Sequence, residues 1–398
     1  MVREIASNVF YTGVNDLDID LFEGQYVVKE GMSYNSEIII DDKIVLFDTA
    51  DKRRTNEWIA NVEEVLREKA QGRSPDYLVV SHLEEDHAGS IEDILNIYPD
   101  IKLIMSFSAL NMFNQFFDVD ISEKKIVVKD EEELNIGSKT LKFFMAPMVH
   151  WPEVMFTYEK ETGILFSADG FGKFGAPVEK LINDSPDDCE KWDDEARRYY
   201  INICGKYGIQ VQAILNKIMR ANCDIKMICP LHGPILKENL NHYVGMYDKW
   251  SKYEPEVDGT LIVYASIHGN TEEAARKLFE MMKEKGKNVQ IMDIARCDIS
   301  EAVSLAYKYS KLIVASVTYN MSIFPNMNLF LTLLKEKLFQ SRKVGIIENG
   351  SWAPSSGKVM KQYFEEMKNI EIVEPIVTIK SKLNSDSFEK MKDLEKSF

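Results

Sequence analysis

Four potential metal ligands stand within six residues of the chain, after an apolar run and before a predicted helix: His82, Glu84, Asp86 and His87. Side chains two residues apart in an extended chain project to the same side, so the first three would share one side of an extended segment. A turn at 87–89 would bring His87 alongside them. Imidazole and carboxylate groups at this density indicate a site for two cations. A polar loop that caps a helix is the plainer interpretation of this segment by itself.

Three further candidate ligands lie far along the chain, each at or just beyond the end of a predicted strand: His150, Asp169 and His232. Loops at strand ends along one edge of a sheet converge into sites. Taken singly, each has a plain alternative, either a buried histidine bonded to a carbonyl group or a turn aspartate. Together with the first segment they supply four imidazoles and three carboxylates, which suits two cations that share a bridging carboxylate.

The composition limits the classes of function. With 398 residues the chain is long enough for two or three domains. Its 48 basic and 64 acidic residues leave a net charge of −16, which argues against a general nucleic-acid or anionic-membrane binder. No apolar run reaches membrane-spanning length and the start lacks a secretory pattern, so we expect a cytoplasmic protein. Five cysteines without a C-x-x-C pair argue against an internal rubredoxin-type iron centre, so electrons must come from another cofactor or protein.

The first part of the chain is rich in predicted strands. Short apolar runs separated by turn residues between 8 and 47 predict antiparallel strands, and a second β-rich section spans 125–166. Two β-rich halves with interspersed helices predict a sheet sandwich flanked by helices. The segment 252–259 has no periodicity and contains proline and glycine, so it is the predicted boundary between domains 1–254 and 255–398.

The second part alternates regularly, with five predicted strands separated by helices. This order predicts a doubly wound parallel sheet whose ligands lie beyond the carboxyl ends of the strands. Three loops would meet there. The loop 266–271 offers hydroxyl and backbone N–H groups to a phosphate, and because it matches neither the triphosphatase nor the dinucleotide pattern, a mononucleotide is favoured. A simple capped strand-helix turn is the alternative. The loops 316–320 and 349–354 add Tyr319 and Trp352, which could stack on an isoalloxazine ring.

With these motifs the chain resembles the flavodiiron proteins, also called A-type flavoproteins, over essentially its whole length. The resemblance implies an α/β protein with an N-terminal metallo-β-lactamase-like αββα sandwich followed by a flavodoxin-like doubly wound parallel sheet. Its most specific motif is His82-x-Glu84-x-Asp86-His87. Hydrolytic zinc enzymes with this fold typically carry a second histidine where Glu84 stands. A carboxylate there adds negative charge and a hard oxygen donor, which favours iron over zinc.

The resemblance also implies the cofactors and their residues. One iron would take His82, Glu84 and His150, the other Asp86, His87 and His232, and Asp169 would bridge the two. FMN is implied for the second domain, although the phosphate loop departs from the common Thr-x-Thr-Gly-Asn-Thr at its first positions. The predicted FMN-binding residues are Ser266, Ile267, His268, Gly269, Asn270, Thr271, Ser316, Thr318, Tyr319, Asn320, Gly350, Ser351 and Trp352. Further candidates, to hydrogen-bond a bound gas or simply to pack, are Tyr26, Tyr199 and Tyr200.

The implied activity is reduction of dioxygen to water, of nitric oxide to nitrous oxide, or of both. Two ferrous ions and one reduced FMN hold the four electrons that dioxygen needs. The resemblance further implies a head-to-tail homodimer or a dimer of dimers, and a separate rubredoxin-like protein or a reductase as electron donor. Two other functions stay open on the residues alone: a dinuclear zinc hydrolase fused to a flavodoxin module, and an electron carrier or redox sensor with a structural metal site.

Overall fold

The computed structural model of the protein describes residues 2–398. They form two compact units, one of residues 2–200 with 209–248 and one of residues 201–208 with 249–398. These two units are defined by contacts within the chain and not by independent folding. The domain boundary predicted after residue 254 therefore stays a prediction.

The N-terminal unit contains two sheets and the helices that cover them. In chain order its strands are β1 Arg3–Ala6, β2 Val9–Tyr11, β3 Val14–Asp16, β4 Leu21–Phe22, β5 Tyr26–Val27, β6 Met32–Tyr34, β7 Glu37–Ile40, β8 Ile44–Phe47, β9 Tyr77–Val79, β10 Lys102–Ser106, β11 Lys125–Val128, β12 Glu133–Asn135, β13 Thr140–Met145, β14 Met155–Glu159, β15 Ile164–Phe166, β16 Ile182–Asn183, β17 Met227–Cys229 and β18 Ile235–Leu236. The helices through residue 251 are α1 Thr55–Lys69, α2 Glu85–Ala88, α3 Ile91–Ile97, α4 Phe107–Phe116, α5 Asp188–Ile203, α6 Gly208–Arg220 and α7 Leu240–Ser251, and 3₁₀ turns occur at Lys52–Arg54 and Gly205–Tyr207.

The two sheets face each other across one apolar core. The first has the order β1-β2-β7-β8-β9-β10-β11 and the second the order β12-β13-β14-β15-β17-β18-β16. Buried residues of both sheets form a single cluster, in which the rings of Phe47 and Phe166 stack at 3.8 Å between centroids. Helix α1 buries Trp58, Val62 and Val65 on one face, the helical spacing that its sequence predicts. The predicted sandwich is therefore confirmed.

The C-terminal unit is built around one parallel sheet. Its elements are β19 Val257–Ala265, α8 Asn270–Glu284, β20 Val289–Asp293, α9 Ile299–Lys308, β21 Tyr309–Tyr319, β22 Ser322–Ile323, α10 Pro325–Glu336, β23 Lys343–Asn349, α11 Ser356–Glu365, β24 Glu371–Ile372, β25 Val377–Ile379 and α12 Ser385–Lys396. The strand order is β20-β19-β21-β23-β24, with β25 also parallel to β23. This order confirms the predicted doubly wound sheet, with its reversal of direction beside β19. Within residues 2–398, the helices are too short or too polar to cross a membrane.

Candidate metal centre and flavin pocket

The loop after β9 carries the first four candidate ligands. The chain is still extended at Glu84, with φ −62° and ψ 139°, and α2 begins at the next residue. His82 and Glu84 therefore project from an extended segment, whereas Asp86 and His87 lie in the first turn of α2. The expectation of an extended chain through residue 86 was wrong, because acidic residues favour the positive end of a helix and the chain turns helical there.

The other three candidate ligands come from the second sheet. His150 follows β13, Asp169 follows β15 and His232 follows β17. All three side chains are buried, and the structure brings them to the loop after β9. The seven candidate ligands form two groups: His82, Glu84, His150 and Asp169 in one, and Asp86, His87 and His232 in the other.

In the first group, donor atoms converge from four segments of the chain. Nε2 of His82 lies 3.2 Å from Oε2 of Glu84 and 3.2 Å from Oδ2 of Asp169. Nε2 of His150 lies 3.1 Å from the same oxygen of Glu84 and 3.2 Å from that of Asp169. Two imidazole nitrogens and two carboxylate oxygens therefore surround one point, in an arrangement that can hold a cation.

In the second group, two histidines converge on Asp86. Nε2 of His87 and Nε2 of His232 lie 3.0 Å apart, and each is 3.2 Å from Oδ2 of Asp86. The other oxygen of Asp169, Oδ1, lies 3.5 Å from His87 and 3.6 Å from His232. Asp169 therefore presents one oxygen to each group.

The buried carboxylates test whether two cations fit this site. Both oxygens of Asp169 and both oxygens of Asp86 are buried and lack a hydrogen-bond partner among residues 2–398. Buried charged oxygens without partners are costly, and native proteins avoid them unless an ion satisfies them. The residues therefore fit a pair of cations with Asp169 between them.

The titration properties of the groups agree with this fit. Burial opposes ionisation of Asp169, but the imidazoles of His82, His150 and His87 outweigh it and hold the pKa of Asp169 well below its usual range. Burial likewise disfavours protonation of His150, but the carboxylates of Asp169 and Glu84 raise its pKa to about 9. A cation bound by these groups would replace the protons that stabilise the carboxylates, so metal binding would release protons.

Hydrogen bonds at Nδ1 fix the ring orientations of His82 and His232. Nδ1 of His82 lies 2.7 Å from Oε1 of Glu153, which also accepts the backbone N–H of Leu83 at 3.0 Å. Nδ1 of His232 lies 2.7 Å from the backbone oxygen of Ser33. Both partners only accept, so both imidazoles donate from Nδ1 and leave Nε2 free for a metal. Sequence reasoning missed Glu153. An acidic residue between Pro152 and the apolar Val154 on the loop into β14 was the available signal.

An aromatic wall, defined here as Phe22, Tyr26, Phe174 and Tyr199, lies on the His232 side. The ring of Phe22 meets that of His232 edge-on at 5.2 Å, and Tyr199 lies 5.5 Å from it. Phe174 packs against the other three rings at 5.2 to 5.9 Å. Of the predicted tyrosines, two therefore belong to this wall, whereas Tyr200 packs on Tyr247 at 4.9 Å. The hairpin β4–β5, which supplies half of the wall, was not predicted to approach the site.

The flavin pocket is a cavity of about 590 Å³ at the carboxyl ends of β19, β21 and β23. Most predicted residues line it: Ser266, Ile267, His268, Asn270, Thr271, Thr318, Tyr319, Asn320, Gly350, Ser351 and Trp352. Gly269 and Ser316 do not line it. Gly269 shapes the phosphate loop, with φ 87° and its N–H donated to the hydroxyl of Ser266 at 3.0 Å, and Ser316 is fully buried. Sequence reasoning missed Val317, Met321, Asn349, Ala353 and Ser381.

Comparison with known proteins agrees with this architecture. A family model described as ODP family beta lactamase matches residues 32–233, and a flavodoxin model matches residues 262–370. An uncharacterized protein of Methanocaldococcus jannaschii is 30% identical over 92% of this chain and 90% of its own length. An anaerobic nitric oxide reductase flavorubredoxin of Salmonella paratyphi B is 29% identical over 88% of this chain and 72% of its own length.

Solved structures agree over the whole chain. Rubredoxin:oxygen oxidoreductase from Desulfovibrio gigas superposes with a TM-score of 0.92 at 26% identity, covering 100% of this chain and 97% of the other. A variant of a flavo di-iron protein from Thermotoga maritima superposes with a TM-score of 0.89 at 26% identity, covering 100% and 98%. By the order of its domains and its similarity along the full length, this chain belongs to the flavodiiron protein family.

Proposed function

We propose that the protein reduces dioxygen to water, nitric oxide to nitrous oxide, or both, at a diiron centre that receives its electrons from FMN. The observation that carries this proposal is the position of Asp169, whose two buried oxygens face two separate groups of donors. Relatives named for nitric oxide reduction and for oxygen reduction support the same reaction class.

The proposed ligands of the first iron are His82, Glu84 and His150, and those of the second are Asp86, His87 and His232, with Asp169 bridging. Glu84 supports iron over zinc, because an anionic oxygen donor stabilises the ferric state. Its Oε2 lies 3.2 Å and 3.1 Å from the two histidines of its group, close enough to share one cation with them. Three carboxylates offset most of the charge of two divalent cations in this buried site.

Reduced FMN and two ferrous ions would together supply the four electrons that turn dioxygen into two waters, whereas coupling two nitric oxide molecules needs two. Other residues of the chain would orient the metal-binding histidines and keep bulk water away from the metal site. Glu153 and the backbone of Ser33 hold the imidazoles in the tautomer that exposes Nε2. The aromatic wall packs directly against His232, so it excludes bulk water on that side of the site.

The flavin pocket is the proposed FMN site. Ser266 and Thr271 flank the start of α8, where backbone N–H groups and the helix dipole favour a phosphate. Tyr319 and Trp352 lie on separate loops of the same pocket and offer aromatic faces to an isoalloxazine ring. Gly269 and Ser316 contribute through loop shape, because neither lines the cavity.

The proposal extends to assembly, electron donor and location. A separate rubredoxin-like protein or a reductase would reduce the FMN, and the protein would act as a head-to-tail homodimer or a dimer of dimers. Five free cysteines support a reducing compartment such as the cytoplasm. Nothing in the charge or the fold favours nucleic acid or a membrane as a partner.

One experiment tests the reaction directly. The purified protein, loaded with iron and FMN, is reduced without air and mixed with a measured amount of dioxygen or nitric oxide, and the products are analysed. We expect rapid reoxidation that yields water without peroxide, or nitrous oxide. Reoxidation over many seconds that yields mainly peroxide and no nitrous oxide would refute the proposal. Stoichiometric zinc with thioesterase or lactonase turnover would instead support a hydrolase.

A further inference from the structure

We propose that Tyr34 is a redox-active residue that gives one electron to dioxygen during its reduction at the metal centre, while the phenolic proton passes to Asp16. The inference rests on the proposed function, since dioxygen is the oxidant. It goes further by giving the centre an electron source besides iron and FMN. This source is used when the protein holds one electron fewer than dioxygen needs.

Tyr34 contacts both histidines of the second group of candidate ligands. Its ring centroid lies 6.4 Å from that of His87 and 6.3 Å from that of His232, and both contacts are edge-to-face. These distances are typical of aromatic rings that pack against each other. Tyr34 is the last residue of β6, and its side chain is fully buried. The phenol ring is therefore a direct neighbour of the second metal position.

A buried carboxylate lies beside the phenol oxygen. The O–H of Tyr34 donates to Oδ2 of Asp16 at 3.4 Å, which is a long hydrogen bond, and Nη2 of Arg53 donates to the phenol oxygen at 2.9 Å. The strand β3, which ends at Asp16, pairs with β6 and holds the two side chains next to each other. The side chain of Asp16 is only 1% exposed. The phenol thus faces an acceptor for its proton inside the protein.

This acceptor is what makes oxidation of the phenol feasible. Loss of an electron alone would leave a positive charge on a buried ring, which is costly. Transfer of the proton to Asp16 leaves a neutral ring instead. Burial by itself would raise the pKa of Asp16, but Arg54 and Arg53, at 2.6 Å and 3.1 Å, outweigh it and lower that pKa. The carboxylate is therefore ionised and able to accept the proton.

Electron counting shows when the phenol is used. Reduction of dioxygen to two waters takes four electrons and four protons. A donor with a single iron centre delivers one electron at a time, so the protein passes through a state with three electrons on iron and FMN. Dioxygen that meets this state would stop at peroxide, which takes two.

Tyr34 completes the balance in this state. Iron and FMN give three electrons, the phenol gives the fourth, and water supplies the four protons of the product. The phenolic proton goes to Asp16 and leaves a neutral tyrosine radical. The next electron from the donor, together with the proton that returns from Asp16, restores the phenol.

Another aromatic residue provides the alternative that the test must separate. Trp151 also contacts two candidate ligands, at 5.1 Å from His82 and 6.2 Å from His150. Its side chain is only partly buried, and in the described part of the chain no carboxylate bonds to its indole. The proton acceptor therefore favours Tyr34 as the electron source.

The test traps the oxidised phenol. The full-length protein, loaded with iron and FMN, is reduced with titrated dithionite to three electrons per subunit, mixed with dioxygen and frozen rapidly for electron paramagnetic resonance. Peroxide is measured in parallel. We expect an organic radical whose signal narrows when ring-deuterated tyrosine is incorporated, and water as the product. Y34F should lose the signal and release peroxide. Y243F is the matched control, because Tyr243 is fully buried in the same unit and packs on Trp192.

A second pair of variants tests the proton acceptor and does not depend on the folding of Y34F. D16N keeps a hydrogen-bond acceptor of the same shape, but an amide does not take up the proton. D18N is its control, since Asp18 pairs with the same Arg54 at 2.5 Å and is 87% exposed. We expect D16N to lose the radical and D18N to keep it. Iron content, measured first in every variant, shows that the metal site is filled.

Several results would overturn the proposal. These are no radical in the wild type, a signal that narrows with deuterated tryptophan and not with deuterated tyrosine, and equal signals within either pair of variants. Nitric oxide provides an internal check, because coupling two of its molecules takes only two electrons and should give no radical from the same state. A radical of equal size with nitric oxide would also refute the proposed role.

The outcomes separate this proposal from the proposed function. If protein that holds four electrons turns dioxygen into water but the three-electron state yields no tyrosine radical, only the role of Tyr34 is refuted. If fully reduced wild-type protein consumes neither gas, the proposed function fails before any variant is compared.

Discussion

In the proposed diiron centre, single residues favour one metal over another, and Glu84 is the most informative of them. It stands where the loop motif of the hydrolytic zinc enzymes typically has a second histidine, and its Oε2 lies within 3.2 Å of both histidines of its group. An anionic oxygen at this point lowers the energy of a ferric ion more than a neutral imidazole does. The type of this one residue therefore supports the proposed redox chemistry over hydrolysis.

The Glu84→His substitution should lower iron retention and gas reduction together, because it replaces an anionic donor with a neutral one. Iron content by elemental analysis and turnover with dioxygen or nitric oxide measure both effects. Glu85→His is the matched control, since Glu85 is the next residue along the chain and is exposed. Wild-type iron content and turnover in the Glu84 variant would contradict the role assigned to this residue.

Glu153 is expected to hold His82 in place through charge and through hydrogen bonding, and two variants separate these effects. Gln at this position can still accept from His82 and Leu83, whereas Ala cannot. Glu153→Ala should weaken iron affinity by about 10- to 100-fold, and Glu153→Gln should weaken it less. Competition with a chelator measures the affinity.

The control for this series is Glu37→Gln. Glu37 is another buried carboxyl of the same unit, and it belongs to neither group of candidate ligands. Burial raises the pKa of Glu37 well above its usual range. Equal iron affinity in all three variants and the wild type would show that Glu153 does not position His82.

At the scale of elements, loops at strand ends carry the candidate metal ligands and the residues of the flavin pocket. The helices that follow these loops constrain the conformation of the loops. The phosphate loop depends on one backbone conformation, since Gly269 has φ 87° and caps α8. A second example lies at the end of the chain, where α12 is tied to the turn after α8. The fully buried Glu395 of α12 pairs there with Lys285 and Lys287.

Gly269→Ala should weaken FMN binding, because an L-residue in this left-handed conformation costs roughly 1–2 kcal/mol and the loop would relax away from the phosphate. Fluorescence titration of the flavin-free protein with FMN measures the affinity. Gly286→Ala is the control: Gly286 has φ 73° and equally open surroundings but lies in the turn after α8. A similar loss in both variants would mean that general destabilisation, and not the phosphate loop, weakens binding.

Glu395→Gln should loosen α12 in a pH-dependent way. Burial by itself would raise the pKa of Glu395, but the ammonium groups of Lys285 and Lys287 outweigh it and lower that pKa. A carboxyl with a lowered folded-state pKa stabilises the protein above its unfolded pKa of about 4.3, and this stabilisation disappears as the pH falls through the folded value. Hydrogen exchange of α12 amides should show a loss of about 1–2 kcal/mol at neutral pH that vanishes in acid.

The control for α12 is Glu389→Gln, which removes an exposed pair with Lys392 in the same helix. Exposed pairs contribute little, so exchange should stay near wild type. A Glu395 effect that persists unchanged into acid would contradict the ion-pair explanation.

At the scale of the whole molecule, the two units divide the work between a metal site and a flavin site. The proposed head-to-tail dimer makes each subunit depend on its partner, and this dependence can be tested by mixing variants. Asp169→Asn should lose the bridging carboxylate and hence bound iron, whereas Trp352→Ala combined with Gly269→Ala should lose FMN. Exchange of subunits between the two variants should restore gas consumption that neither has alone. If sedimentation shows mixed dimers but no activity returns, electrons do not cross between subunits.

Much of the architecture and of the site follows from local patterns in the sequence. Four donors within six residues, and three more donors after strand ends, are visible as residue types at given spacings. Regular alternation of strands and helices predicted the parallel sheet and hence the three loops of the flavin pocket. These features are local, because the periodicity of a strand or helix depends on neighbouring residues only.

Only the tertiary structure determines which residues from distant parts of the sequence lie close together. The 3.0 Å approach of His87 to His232, the placement of Asp169 between two groups and the support of His82 by Glu153 depend on the order and packing of the two sheets. The approach of Met321 and Ser381 to the flavin pocket depends in turn on how the loops of the C-terminal sheet pack together. A sequence by itself determines which side chains can bind a metal or a flavin. Distances between loops from different strands arise only when the core closes, since they are set by non-local contacts.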